Sequence, residues 1–154
     1  MITPYLLASI ADVRIALPMS SVEEIVRAVA LTPLPSAPPI IEGAVNLRGV
    51  LLPVIDLRAR LKLPSRPIDP ADYLIVLRLP GRRAVVRVDD ADEVVEIEDA
   101  VIATPSSLTP ALAGLDALAG VAPRPDGALV IYDPSAFLSQ AELDATDAVL
   151  SPTS

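Results

Sequence analysis

Seventeen prolines among 154 residues constrain this chain more than any other feature. A proline inside a helix removes an i→i−4 hydrogen bond and costs about 3 kcal/mol, so their spacing leaves little room for long helices. The longest proline-free stretch of ordinary helical character is 139–149, near the end. Elsewhere short β-branched segments alternate with turn residues, the pattern of an all-β protein with many short strands. The expected strands are Tyr5–Ile10, Val13–Leu17, Gly43–Leu47, Val50–Ile55, Tyr73–Leu79, Ala84–Val88, Val94–Ile97, Gly120–Ala122 and Ala128–Tyr132. Pro80-Gly81 marks a hairpin turn, and Pro53 within a strand demands an edge position or a bulge.

Short helices carry their own start signals. Ser21-Val-Glu-Glu24 fits a capping box, with Glu24 able to reach back to the N–H of its cap. Asp133-Pro134 sets a capping carboxylate before a proline at the first helical position. Ser139-Gln-Ala-Glu142 is a second capping box and predicts a tail helix, docked or free. Pro64–Pro70 reads as a connector between halves, and Pro105–Pro110 as a loop. Thr32–Pro39 reads as a rigid connector. Its alternative, a polyproline ligand for an aromatic groove, lacks flanking basic residues.

An internal repeat organises these elements. Gly43 precedes Asp56 by thirteen positions, and Gly120 precedes Asp133 by the same thirteen; each aspartate is followed five residues on by a leucine, Leu61 and Leu138. Both units read as strand, turn, strand and a short helix capped by the aspartate. Two similar barrels fit this order better than one irregular sheet.

Composition excludes most chemistry. Histidine and cysteine are both absent, which removes Ser-His-Asp and Cys-His catalysis, the usual zinc sets and any disulfide framework. No catalytic, cofactor or metal residue is expected, and the glycines form no phosphate-binding motif. The net charge is −8, all of it in residues 78–154, with the acids concentrated between Asp89 and Asp99. Such a surface repels phosphate backbones, so nucleic acid is a poor partner. The acidic run reads as a solvated face, since it lacks the spacing and fixed glycine of a calcium loop. No apolar run approaches the roughly 20 residues of a membrane span, and the N-terminus lacks the basic region of a signal peptide. A cytoplasmic protein without direct membrane insertion is expected.

Residues 32–58 carry a more specific signal. Thr32-Pro-Leu-Pro-Ser-Ala-Pro-Pro-Ile-Ile-Glu-Gly43, Val45-Asn-Leu-Arg-Gly49 and Leu52-Pro-Val-Ile-Asp-Leu-Arg58 strongly resemble the CheW-like chemotaxis coupling family. Val88-Asp89 with Val94, and the segment Gly120–Leu138, resemble its later motifs. The first hairpin, Ile10-Ala-Asp-Val13, and the turn Pro123-Arg-Pro-Asp-Gly127 depart from the family pattern. The resemblance implies two SH3-like five-stranded β-barrels packed side by side, with short helices and a C-terminal tail helix. It divides the chain into one domain over 1–139, with barrels at about 11–70 and about 72–139, and a tail at 140–154. Residues 4–10 are free to join the second barrel.

It also implies a non-enzymatic adaptor between the regulatory domain of a CheA-type histidine kinase and the cytoplasmic tip of a chemoreceptor, at membrane-associated arrays. The alternative is a regulator or decoy that binds one of the two. The candidate partner-binding residues are Arg48, Asn46, Gly49, Val22, Glu24 and Ile25. Asn46 and Gly49 also have a structural reading, as a turn-binding amide and a positive-φ position. Arg48 is too costly to bury alone, so it is either a partner contact or one half of an internal pair, for example with Asp56. Val22 and Ile25, placed on one face of the first capped helix, are contacts or core, and Glu24 is a contact or the box partner.

Overall fold

Antiparallel hairpins account for most of the regular structure. The computed structural model describes residues 1–103, 118–125 and 127–150. Its strands are β1 (Ile2–Ile10), β2 (Val13–Pro18), β3 (Val22–Arg27), β4 (Ile41–Leu47) and β5 (Val50–Ile55), then, after the one-turn helix α1 (Leu57–Arg60), β6 (Tyr73–Leu79), β7 (Arg82–Val88), β8 (Asp90–Glu98), β9 (Leu118–Arg124) and β10 (Gly127–Tyr132). The chain closes with helix α2 (Gln140–Leu150). Pro80 and Gly81 turn β6 into β7, with Gly81 at φ 74° and Leu79 opposite Arg82. The loop expected at Pro105–Pro110 lies outside the described residues.

The strands form two five-stranded sheets, in the orders β3-β6-β7-β5-β4 and β8-β1-β2-β10-β9. This corrects the expected division at residue 70. The first barrel takes all its strands from residues 22–88, while the second joins β1 and β2 to β8, β9 and β10. Linear order misleads here because β2 pairs with β10 in parallel across more than a hundred residues, Val130 opposite Ile15 and Ile131 opposite Ala16.

Burial explains the long apolar runs. In β1, Tyr5 and Leu7 face a cluster inside the second barrel, while Leu6, Ala8 and Ile10 face a core shared with the first. In β6, Leu74 and Val76 face the interior of the first barrel, while Ile75 and Leu77 face the same shared core. Strands covered on both faces read as continuous rather than alternating hydrophobic segments. Leu34 and Ala37 of the proline stretch pack against the shared core, and Thr32 forms a bridge with Ala44; the segment is a connector pinned at both ends.

The first capping box does not start a helix. A 3-10 turn covers Met19–Ser21 and β3 begins at Val22, because pairing with β6 satisfies the backbone groups that a helix would have used. The tail box forms as read: the Ser139 N–H donates to Glu142 Oε1 at 2.8 Å, and the Glu142 N–H donates to Ser139 Oγ at 3.1 Å. The tail helix is docked, with its residues packing on β5. Pro53 lies in β5 before that strand's pairing with β7 begins at Val54, so its missing donor costs no ladder bond.

The repeat is real. Asp56 Oδ1 accepts from the Ala59 N–H at 3.1 Å, and Asp133 Oδ1 from the Ser135 N–H at 3.0 Å. The residue after each repeat glycine makes an isolated antiparallel bridge, Ala44 with Thr32 and Val121 with Ala103. A Cβ on Gly43 would sit 2.7 Å from the Thr32 carbonyl oxygen, and one on Gly120 would sit 2.5 Å from Ile102 Cγ2. Close approach of a neighbouring segment, backbone at Gly43 and the Ile102 side chain at Gly120, rather than turn geometry, therefore requires both glycines. Gly43→Ala should destabilise the chain by about 1–3 kcal/mol, the usual cost of overpacking. Urea melts check this, and a midpoint equal to that of the parent chain would contradict it.

Candidate functional site

The Asn46–Gly49 segment forms the tip of the β4–β5 hairpin. Leu47 faces Val50, leaving Arg48 and Gly49 as a two-residue loop with φ of 51° and 88°. Two positive-φ residues match the right-handed twist of the flanking strands. Gly49 takes that region freely, whereas Arg48 is held there against its steric preference. Asn46 Oδ1 accepts from the Gly49 N–H at 2.8 Å and fastens the loop.

Arg48 reaches across to Glu24 on β3 in a bidentate pair, both N–H···O distances being 2.7 Å. β3 and β4 are the two edges of the first sheet, so this pair closes the seam of the barrel. Arg48 does not meet Asp56, whose carboxylate caps α1. The hydrogen bonds from Arg48 hold Glu24 below its ordinary carboxylate range. Arg48 nevertheless remains 69% exposed along its side chain.

The candidate residues thus divide. Arg48, Asn46, Gly49 and Glu24 share the tip. Ile25 is on β3 and 37% exposed. Val22 is buried in the shared core and offers no surface. Val22 and Ile25 do not share a helical face, because they lie on a strand with a bulge between Val22 and Glu24. Val50 and Leu51, 44% and 41% exposed, are two further apolar side chains beside the tip that reading the sequence overlooked. Their signal was position: they adjoin the Asn46–Gly49 turn, at the end of a strand whose buried residues begin only at Leu52.

A second constellation joins the barrels. Glu42, Arg87, Asp72, Arg66, Asp89 and Arg58 alternate in charge. Arg87 donates to Glu42 at 2.8 Å and to Asp72 at 3.1 Å; Arg66 donates to Asp72 at 2.6 Å and to Asp89 at 2.8 Å; Arg58 donates to both oxygens of Asp89 at 2.8 Å. Arg58, Asp72 and Arg87 are buried. Spare donors satisfy the proline-rich connector: Arg58 binds the Pro64 carbonyl, and Arg87 those of Arg66 and Pro67. Asp89 also accepts from the Ala11 N–H at 2.9 Å, which ties the β1–β2 turn to the first barrel. Asp89 is therefore not part of a solvated acidic face. Only its place at the β7–β8 junction separates it from the acids that follow.

Among the described residues, no group of three or more acidic side chains is placed to hold a metal ion.

The CheW-like domain model matches residues 4–142. The chain is similar to chemotaxis protein CheW of Bacillus subtilis, 38% identical over 71 residues covering 46% of each chain. It is also similar to chemotaxis protein CheW of Rhizobium meliloti, 29% identical over 90 residues covering 58% of each. These alignments span about half the length of the curated relatives. Among solved structures it resembles the scaffolding protein TtCheW from Thermoanaerobacter tengcongensis, with a TM-score of 0.76, 30% identity, and coverage of 86% of this chain and 90% of that one.

The charged chain sets the acid response. Burial alone would raise Asp72 and Asp89, but hydrogen bonds from the arginines and from the Asp69 and Ala11 N–H groups outweigh it, leaving both carboxyls below their ordinary values. Burial raises Glu42 despite Arg87. A depressed carboxyl contributes stability above its unfolded pKa, about 3.9, and loses it as pH falls through the folded value. Glu42 has the opposite sign, its contribution fading as pH rises through its raised value. With Glu24 and Glu142 also held low, the depressed carboxyls outnumber the raised Glu42, so urea stability should fall on acidification below about pH 4, and Asp89→Asn should flatten that fall while costing about 2 kcal/mol or more at neutral pH. Equal pH profiles for the two chains would contradict this.

Proposed function

Because the chain belongs to the CheW-like family, we propose that it is a non-enzymatic scaffold coupling the cytoplasmic tip of a chemoreceptor to the regulatory domain of a CheA-type histidine kinase. The match over residues 4–142, which takes in both barrels, carries this reading. Such a scaffold works in the cytoplasm and meets membranes only through the receptor. No helix among the described residues is long and apolar enough to cross one.

The tip of β4–β5 is the proposed receptor contact. Its exposed arginine, kept in a left-handed backbone conformation, offers a charge anchor, and Ile25 of β3 and Val50 and Leu51 of β5 are exposed apolar side chains. The kinase, whose regulatory domain carries a related barrel, is assigned the edge of the second barrel at β8, where Val94, opposite Leu6 of β1, is exposed. Two surfaces on opposite barrels allow both partners to bind at once. Each interface is small, roughly 1,200 Å² or less, so assembly into an array supplies avidity.

Titrating a receptor-tip fragment and a kinase regulatory fragment separately tests the coupling; an adaptor binds both, and binding of one alone marks a single-partner regulator. Arg48→Glu should weaken receptor binding at least about tenfold while leaving kinase binding near the parent value. It also places two carboxylates at the seam, so the double variant Arg48→Glu/Glu24→Arg is the control. That swap restores the seam and the melting temperature but not receptor binding. Recovery of receptor binding in the swap would show that Arg48 serves only the barrel seam.

A further inference from the structure

Helix α2 lies on the part of β5 that no neighbour pairs on the β7 side. β5 meets β7 only at Val54 and Ile55, so Leu51, Leu52 and Pro53 extend beyond that ladder. The cleft there is lined by these three residues and, from the helix, by Leu143, Thr146 and Leu150. The apolar seal is thin. Leu143 and Leu150 are half-buried, and Thr146, the buried residue of the helix, spends its hydroxyl on the Glu142 carbonyl at 2.7 Å.

Beside the contact of Leu143 with the shared core, charge holds the helix. It carries Glu142, Asp144 and Asp147 and no basic residue. Glu142 accepts from Arg60 at 2.7 and 2.8 Å, and Asp147 pairs with Arg82. Asp147 is 51% exposed along its side chain, so this latch is open to competition from salt and from other carboxylates. The cleft also runs into the proposed receptor contact. Leu51 belongs to both, and Arg83, which lines the cleft, pairs at 2.9 Å with Glu23, the neighbour of Glu24.

We propose that α2 is a displaceable strap that covers part of the receptor surface, and that an acidic, amphipathic helix of the receptor tip replaces it on Leu51–Pro53 and Arg82. This inference rests on the receptor reading given above. The strap sets a threshold: a partner's apparent affinity falls in proportion to the fraction of chains whose surface is covered.

Full-length variants test it, with hydrogen exchange of the α2 amides and titration of a receptor-tip fragment read side by side. Asp147→Arg should speed α2 exchange and tighten tip binding, each by about fivefold. Asp147→Arg/Arg82→Asp, which rebuilds the latch with reversed polarity, should return α2 exchange to the parent value and leave tip binding weaker than in the parent, because it removes the cation that the acidic tip would meet. Asp144→Arg, the same charge change on an exposed position, should leave tip binding unaltered. Faster exchange without tighter binding overturns the strap, as does unchanged exchange or an equal gain in Asp144→Arg. If exchange responds as expected but neither the parent nor any variant binds the tip, the receptor reading itself fails and the strap's role falls with it.

Discussion

The alternating chain of Glu42, Arg87, Asp72, Arg66, Asp89 and Arg58 is the interaction on which the architecture depends. Three arginines and three carboxylates in partly buried positions would be ruinous singly, because each carries a desolvation penalty of several kcal/mol. In alternation every charge has an opposite neighbour, and the spare N–H groups go to backbone carbonyls of a connector that has no ladder of its own. A proline-rich segment with few donors is thereby fixed in place without secondary structure. The same chain, through Asp89 and the Ala11 N–H, sets the β1–β2 turn of one barrel against the other.

Local chemistry was legible in the sequence wherever a short segment determines its own conformation. The Pro80-Gly81 hairpin, the tail capping box and the two aspartate caps thirteen residues beyond their glycines all form as read. Ser21-Val-Glu-Glu24 fails for a physical reason. Its helix would be short, while β3 gains a full antiparallel ladder with β6, and Glu24 finds a guanidinium in place of its own cap. The family resemblance left residues 4–10 free to join the second barrel, as β1 does, but the membership of β2, β6 and β7 was illegible because it rests on pairings between distant segments, above all β2 with β10.

The candidate site was half visible. Asn46, Arg48 and Gly49 stand out as a polar turn between apolar strands, and their backbone roles follow from residue type. That Glu24 is the partner of Arg48 does not, since the two meet only when the sheet curls and brings its edges together. The acidic stretch shows the converse error. Composition treats Asp89 and its successors alike, but Asp89 faces Arg58 and Arg66 while Glu93 and Glu96 face water.

The nesting of one barrel within the sequence of the other dictates an order of events at the ribosome. β1 and β2 emerge first, and at 5–20 residues per second their partner β10 follows roughly 5–20 s later. In that interval residues 22–88 supply every strand of the first sheet, which can close completely. Leu6, Ala8, Ile10, Ile15 and Leu17 can then seat the waiting β1–β2 hairpin on the finished barrel. Tyr5, Leu7 and Ala16, on the other face, stay uncovered until β8, β9 and β10 arrive. The nascent chain thus carries a half-built sheet on a completed template, and the second barrel is assembled against the first rather than beside it.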